Sequence, residues 1–196
     1  MGASEEKAIQ HSTEHYEQRL VARFRNGDPE ALGSLFEMYV DRVFAFARHL
    51  LGNREDAEEV TSEVFLRAFE RAATLREEGA FRGWLFRIAR NLCLDRMRQP
   101  RLLWLESEEN EVASDNGRST AKMENRIVVH QALAELNEEY RLVLVLCDME
   151  EWDAKEVAEW LGKSLPATKS MLYRARKSLR ERLAGAWSEE NEPHDM

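Results

Sequence analysis

Between Glu30 and Leu51 the apolar residues Leu32, Leu35, Phe36, Tyr39, Val40, Val43, Phe44, Ala47 and Leu50 recur at i, i+3, i+4 and i+7. In an α-helix that spacing gathers them on one stripe, whereas in a strand it would scatter them over both faces. The period returns in Ala57, Val60, Val64, Phe65, Ala68 and Phe69, and again in Trp84, Leu85, Ile88 and Leu92. The longest unbroken apolar run is Leu142–Cys147, far short of the roughly 20 residues that cross a bilayer as a helix. Nine Gly and four Pro among 196 residues, 33% of them charged, disfavour a many-turned all-β fold. Met1 to Leu20 is polar and lacks the apolar block of a secretory signal. Two cysteines, Cys93 and Cys147, are too few for a disulfide framework or a thiolate zinc site. The expectation is an all-α protein of the cytoplasm, with no membrane insertion of its own.

Punctuation divides the chain. Gly52 ends the first long helix, and Asn53 is placed to cap the second, with Asp56 near its positive end. A charged loop, Thr74 to Ala80, leads into a third helix from about Phe81 to Arg98, which Pro100 closes. Glu106 to Thr120 is nearly devoid of apolar residues and rich in carboxylates, so it reads as a flexible acidic linker. The apolar Leu102–Leu105 before it must pack on something. Helicity resumes near Lys122, and Asn137 is placed to cap a further helix through Met149. The predicted order is a polar tail over 1–20, a helical domain over 21–100, the linker over 101–122, a second helical domain over 123–184 and an acidic tail over 185–196.

The second domain carries the sharper signal. Asp153 and Glu156 have the spacing of a capping box and open a short helix through Val157, Ala158, Trp160 and Leu161. Gly162 supplies a tight turn, and Pro166 sits in the first turn of a helix running to about Leu183. Small Ala158 lies where two helices approach closely. This is the sequence pattern of a helix-turn-helix. The second helix is basic: Lys163, Lys169, Arg174, Arg176, Lys177, Arg180 and Arg182 stand against the single acid Glu181 in a chain of net charge −9. Basic side chains that neutralise phosphate are the electrostatic footprint of nucleic-acid binding.

A second basic helix lies in the first domain. Arg82, Arg87, Arg90, Arg96, Arg98 and Arg101 face only Asp95, and Arg87, Asn91, Asp95 and Arg98 share one helix face. Phe81, Trp84 and Phe86 lie alongside. Basic groups beside aromatics suit unstacked bases and their phosphates, although Trp84 at this spacing is expected in the core; Phe81, at the loop edge, is open to either place.

Taken together, Asp56-Ala-Glu-Glu-Val-Thr-Ser-Glu-Val-Phe65, Phe81-Arg-Gly-Trp-Leu-Phe-Arg-Ile-Ala-Arg-Asn91 and Leu94-Asp-Arg-Met-Arg98 resemble the promoter-melting domain of bacterial sigma factors. Gly162-Lys-Ser-Leu-Pro-Ala-Thr-Lys-Ser-Met-Leu-Tyr-Arg-Ala-Arg176 resembles their C-terminal helix-turn-helix. Two helical domains with an acidic linker, covering nearly everything from Asp28 to Leu183, resemble the extracytoplasmic-function (ECF) class of the sigma-70 family. The resemblance implies a transcription initiation factor with no catalysis, cofactor or metal of its own. It implies that Asp56, Glu59, Ser62, Glu63 and Phe65 dock on the beta and beta-prime subunits of core RNA polymerase. It implies that Arg87, Arg90, Asn91 and Arg98 contact the minus-ten element, with a flipped base held by the loop Thr74–Ala80. Lys169, Ser170, Tyr173, Arg174 and Arg176 would read the minus-thirty-five element. The linker would thread toward the polymerase active site and RNA exit, and an anti-sigma protein would be a further partner.

The chain departs from the family pattern at Ser62, where Gln is usual, and at Glu59, where Asp is usual. Pro166-Ala-Thr168 replaces Gly-Thr-Val, and Met171 stands where Arg is common, on the expected DNA side. Two other readings compete. A stand-alone helix-turn-helix regulator accounts for the C-terminal half but leaves Asp56 to Arg98 unexplained. His11-Ser-Thr-Glu-His15 fits the H-x-x-E-H pattern of a zinc peptidase, but it sits in a polar stretch with no apolar face to hold it against a third ligand. Cys93 and Cys147, among apolar residues, are expected to be buried thiols.

Overall fold

The computed structural model describes residues 15–77, 80–98 and 128–189, with side chains as far as residue 185. Every regular element among them is helical: α1 (15–25), α2 (Pro29–Leu51), α3 (Arg54–Glu70), a 3-10 turn (Ala72–Thr74), α4 (Phe81–Arg98), α5 (128–134), α6 (Glu138–Leu144), α7 (Ala154–Leu161) and α8 (Leu165–Glu189). The described residues divide into two compact units, the cut falling after Arg96, with His49–Gly52 counted in the second. The acidic stretch 106–120, Leu102–Leu105 and His11 lie outside the described residues.

In the first unit most of each predicted stripe is buried, with Phe46 added to it, while Phe36 and Phe69 are exposed and Leu32, Val40, Phe44 and Trp84 half-buried. Leu35, Tyr39, Val43 and Phe46 of α2, Val60 and Val64 of α3, and Leu85, Ile88 and Leu92 of α4 are all buried. The polar N-terminal tail expected to reach residue 20 ends earlier. α1 begins at or before His15 and buries Leu20, Val21 and Phe24, because those three positions form an i, i+1, i+4 apolar edge on an otherwise polar helix. Phe24 meets the edges of Phe81 and Trp84, with ring centroids 5.8 and 6.4 Å apart. Asp28 starts α2, its Oδ1 accepting from the Glu30 and Ala31 amides at 3.0 and 3.4 Å. Asn53 caps α3 as expected, accepting from the Asp56 amide at 2.8 Å.

The second unit opens with α5. Asn137 caps α6 by accepting from the Tyr140 amide at 2.9 Å. The run to Met149 does not continue as plain α-helix; Val145–Met149 forms a π turn. The chain then reverses through Glu151, whose φ is +57°. The capping box is complete: Asp153 accepts from the Lys155 and Glu156 amides, and Glu156 accepts from the Asp153 amide at 2.9 Å. Gly162 ends α7 at φ +67°, a conformation that costs glycine nothing and other residues about 1–2 kcal/mol. Ser164 caps α8, its Oγ accepting from the Ala167 amide at 3.3 Å. Val157 and Ala158 of α7 and Thr168, Leu172 and Ala175 of α8 are buried, giving a helix-turn-helix with an apolar seam.

Candidate nucleic-acid interface

The outward face of α8 begins one turn past its cap. Lys169, Ser170, Tyr173, Arg174 and Lys177 are exposed, Tyr173 at 71%, while Thr168, Met171, Leu172 and Ala175 on the opposite side are buried. The inward set follows i, i+3, i+4, i+7, so the two faces are those of one amphipathic helix. Thr168 is wholly buried, and its hydroxyl donates to the Ser164 carbonyl at 3.2 Å; the polar atom where the family carries Val is satisfied within the helix.

One expectation changes here, and one expected contact residue proves to have an acid partner. Met171, expected on the DNA side, is 8% exposed and belongs to the seam, because it stands three residues from Thr168 and four from Ala175. Arg176 is exposed with the outward residues but is engaged within its own unit; its Nε donates to Asp148 at 3.0 Å and its Nη2 to the other oxygen of the same carboxylate. That fork, a charge-assisted pair, keeps the Arg176 guanidinium above its ordinary pKa. Lys177, which the sequence reading had passed over as a contact, occupies the outward position; its spacing of i+4 from Tyr173 and i+8 from Lys169 carried the signal.

On α4, Arg87, Asn91 and Arg98 are exposed on one face, and Arg90 is half-buried at its edge. Phe81, left open by the sequence, is the core residue of the pair, and Trp84, expected there, is only partly covered. Phe81 is 1% exposed, packed by Phe24, Tyr39 and Trp84, whereas Trp84 is half-buried. Arg96 faces away from the Arg87 side, which removes it from the basic stripe. Of the loop Thr74–Ala80, residues 78 and 79 lie outside the described residues.

The acidic face of α3 presents Glu55, Glu58, Glu59, Ser62 and Glu63 to solvent. Ser62 Oγ donates to the Glu58 carbonyl at 3.0 Å, and Glu63 accepts from Arg67 Nε at 2.9 Å. Phe65 does not belong to that face: it is 7% exposed, its ring 4.7 Å from that of Phe36, so it is a core residue beneath the surface. Asp56, expected exposed, is also withdrawn; only 18% of its side chain is accessible. Its Oδ1 accepts from Arg96 Nε and its Oδ2 from Asn53 Nδ2, both at 2.6 Å. Leu66 and Phe69, exposed at 59% and 48%, continue the Ser62 face one and two turns on; the sequence reading had assigned Phe69 to the buried stripe.

Neither thiol is reactive in this setting. Burial pushes the Cys93 thiol up to about 12 and the half-buried Cys147 thiol up to about 11. His15 is exposed on α1, and among the described residues no cluster of His, Cys, Asp and Glu could hold a metal ion. No helix among them is long and apolar enough to cross a membrane.

Residues 35–102 match the family model described as Sigma-70 region 2, and residues 126–179 match that described as Sigma-70, region 4. The ECF RNA polymerase sigma factor SigE of Mycolicibacterium smegmatis is 35% identical over 172 residues, covering 83% of this chain and 66% of SigE's own length. The ECF RNA polymerase sigma factor SigM of Mycobacterium tuberculosis is 31% identical over 167 residues, covering 85% of this chain and 84% of SigM. Among solved structures, CnrH in complex with the cytosolic domain of CnrY matches with a TM-score of 0.68 at 25% identity, over 86% of this chain and 97% of CnrH.

Proposed function

Since the chain belongs to the ECF class of sigma-70 RNA polymerase sigma factors, we propose that it acts as a dissociable polymerase subunit through three surfaces on its two units. The exposed acids of α3 dock on core RNA polymerase, on its beta and beta-prime subunits. The Arg87–Asn91–Arg98 face of α4 meets the minus-ten element as it opens, Asn91 reading a base edge and the arginines holding phosphate. The Lys169–Ser170–Tyr173–Arg174–Lys177 face of α8 enters the major groove at the minus-thirty-five element. The chain works where the polymerase works, in the cytoplasm. It initiates transcription and is not an enzyme. CnrH is bound by the cytosolic domain of CnrY, which supports an anti-sigma partner for this chain as well.

The observation that carries this reading is the outward basic face in each unit, on α4 and on α8, beside an acidic face on α3. Faces of opposite sign on one chain suit a protein that meets DNA and another protein at once. Acidity overall keeps the free chain off DNA until polymerase holds both basic faces. Run-off transcription with purified core polymerase over a genomic promoter library tests it, with permanganate footprinting of the opened region. Dependence of every transcript on the added chain is expected. Asn91→Ala should change base preference within the minus-ten element, and Arg98→Ala should weaken opening on all promoters alike. A chain that binds duplex DNA specifically without polymerase, and directs no transcript with it, would instead be the stand-alone regulator.

A further inference from the structure

Resting on the docking role proposed for α3, we infer that Arg96 is a positioning residue for polymerase binding: it reaches across from α4 and fixes the Glu59 carboxylate for a cationic group of the partner. The contact joins residues 37 and 40 positions apart. One Arg96 Nη2 lies 2.6 Å from both Asp56 Oδ1 and Glu59 Oε2, while Arg96 Nε donates to Asp56 Oδ1 at 2.6 Å.

The two acids play unequal parts. Asp56 has Oδ1 held by Arg96 and Oδ2 held by Asn53, and little of its side chain is accessible. It is the anchor. Glu59 is accessible over 65% of its side chain, and Arg96 holds its Oε2. With Oε2 held and most of the side chain accessible, the remaining carboxylate oxygen is the one a partner's cation would take.

A lone Glu on a helix surface samples several rotamers, and ordering it on binding costs about 1.5–2 kcal/mol in lost freedom. Tethered by Arg96, it has lost part of that freedom beforehand, which is preorganisation in the ordinary sense. The trio of Asp56, Glu59 and Arg96 keeps one net negative charge, so the tether leaves an attraction for a cation in place. Arg suits the role where Lys does not, because its planar fork engages both carboxylates at once.

The test is a double-mutant cycle on the full chain, with core polymerase affinity measured for Arg96→Ala, Arg96→Lys, Glu59→Gln and Arg96→Ala/Glu59→Gln, each beside a thermal melt. Arg96→Ala should weaken binding about two- to fivefold, the range of an exposed charge contact, and Arg96→Lys should recover only part of it. In the Glu59→Gln background the Arg96 effect should vanish, since the carboxylate it positions is gone. Equal loss with and without Glu59 would overturn the inference and leave Arg96 a fold-stabilising residue, visible in the melt alone. Tighter binding by Arg96→Ala would also overturn it, showing that Arg96 competes with the partner. Unchanged affinity in Glu59→Gln alone would refute the docking role of this acid, a separate failure from either of these.

Discussion

Glu151 holds a backbone conformation that its side chain opposes, and replacing it with glycine should stabilise the helix-turn-helix unit. Its φ of +57° is the left-handed region. The residues on either side are pinned: the Glu150 amide donates to the Val145 carbonyl and the Trp152 amide to the Leu146 carbonyl, each at 2.9 Å. The chain therefore cannot relax φ without breaking the reversal that follows the π turn. For a residue with a Cβ this conformation costs about 1–2 kcal/mol. Glycine removes that cost but loses about 0.4–1 kcal/mol more backbone entropy on folding. The difference leaves Glu151→Gly about 0.5–1 kcal/mol more stable. In a domain of this size that raises Tm by roughly 2–8 °C.

The assay is built into the fold. Trp152, the next residue, is 5% exposed and meets Trp160 edge-on at a ring separation of 5.8 Å, so their fluorescence, in a background where Trp84, Trp104 and Trp187 are replaced by Phe, reports on the unit that contains the substitution. Glu151 is exposed, and Glu151→Ala, which keeps the Cβ, should stay within about 0.5 kcal/mol of the parent. A glycine variant melting at or below the parent, or an alanine variant rising with it, would refute the assignment of the cost to φ.

Three other outcomes follow from the seam and the outward face. Met171→Arg should lower the melting temperature, by about 1–3 kcal/mol of stability, with no gain in affinity of the chain for minus-thirty-five DNA; a tighter complex would place Met171 outside the seam. With core polymerase bound, Lys177→Ala should reduce the log–log salt slope of DNA binding by about 0.9, and Arg176→Ala by less, because its guanidinium is held by both oxygens of Asp148, as salt titration of the two variants would show. At pH 8 a thiol held near 12 is thiolate in only about one molecule in ten thousand, so iodoacetamide should spare Cys93 in the folded chain and react once it is denatured. Cys147, at about 11, should label first as the pH is raised, and prompt labelling of Cys93 at pH 8 would contradict its burial.

What the sequence made legible was whatever repeats along a helix. The stripes of α2, α3 and α4, the caps at Asn53 and Asn137, the capping box at Asp153 and the turn at Gly162 all depend on neighbours within four residues. Arg96 escaped because its partners lie 37 and 40 residues away, and no local period carries such a pairing. Phe65 and Asp56 were assigned outward on resemblance, yet the α3 period already put Phe65 with Val64 and Ala68 inside. Met171 is the same lesson: Thr168, Met171, Leu172 and Ala175 spell an inward stripe, and the expectation of Arg there concealed it. α1 was hidden by its polar surroundings, with only Leu20, Val21 and Phe24 to mark an edge.

On the proposed function, the acid partners of α8 have a consequence for how this chain would find a promoter. Lys163, in the turn before α8, pairs with Glu139, and on α8 Arg176 pairs with Asp148 and Arg182 with Glu135, so part of the positive charge on and around the helix is answered inside its own unit. A basic helix whose flanking charges are answered in this way would draw any one duplex weakly and release non-cognate sequence quickly. Occupancy of a promoter then depends on avidity: once one basic face is seated, the other is held at a high effective concentration over its own element, and the two weak contacts multiply. A half-site presented alone should be nearly invisible to this protein, and selectivity resides in finding both elements at the right separation.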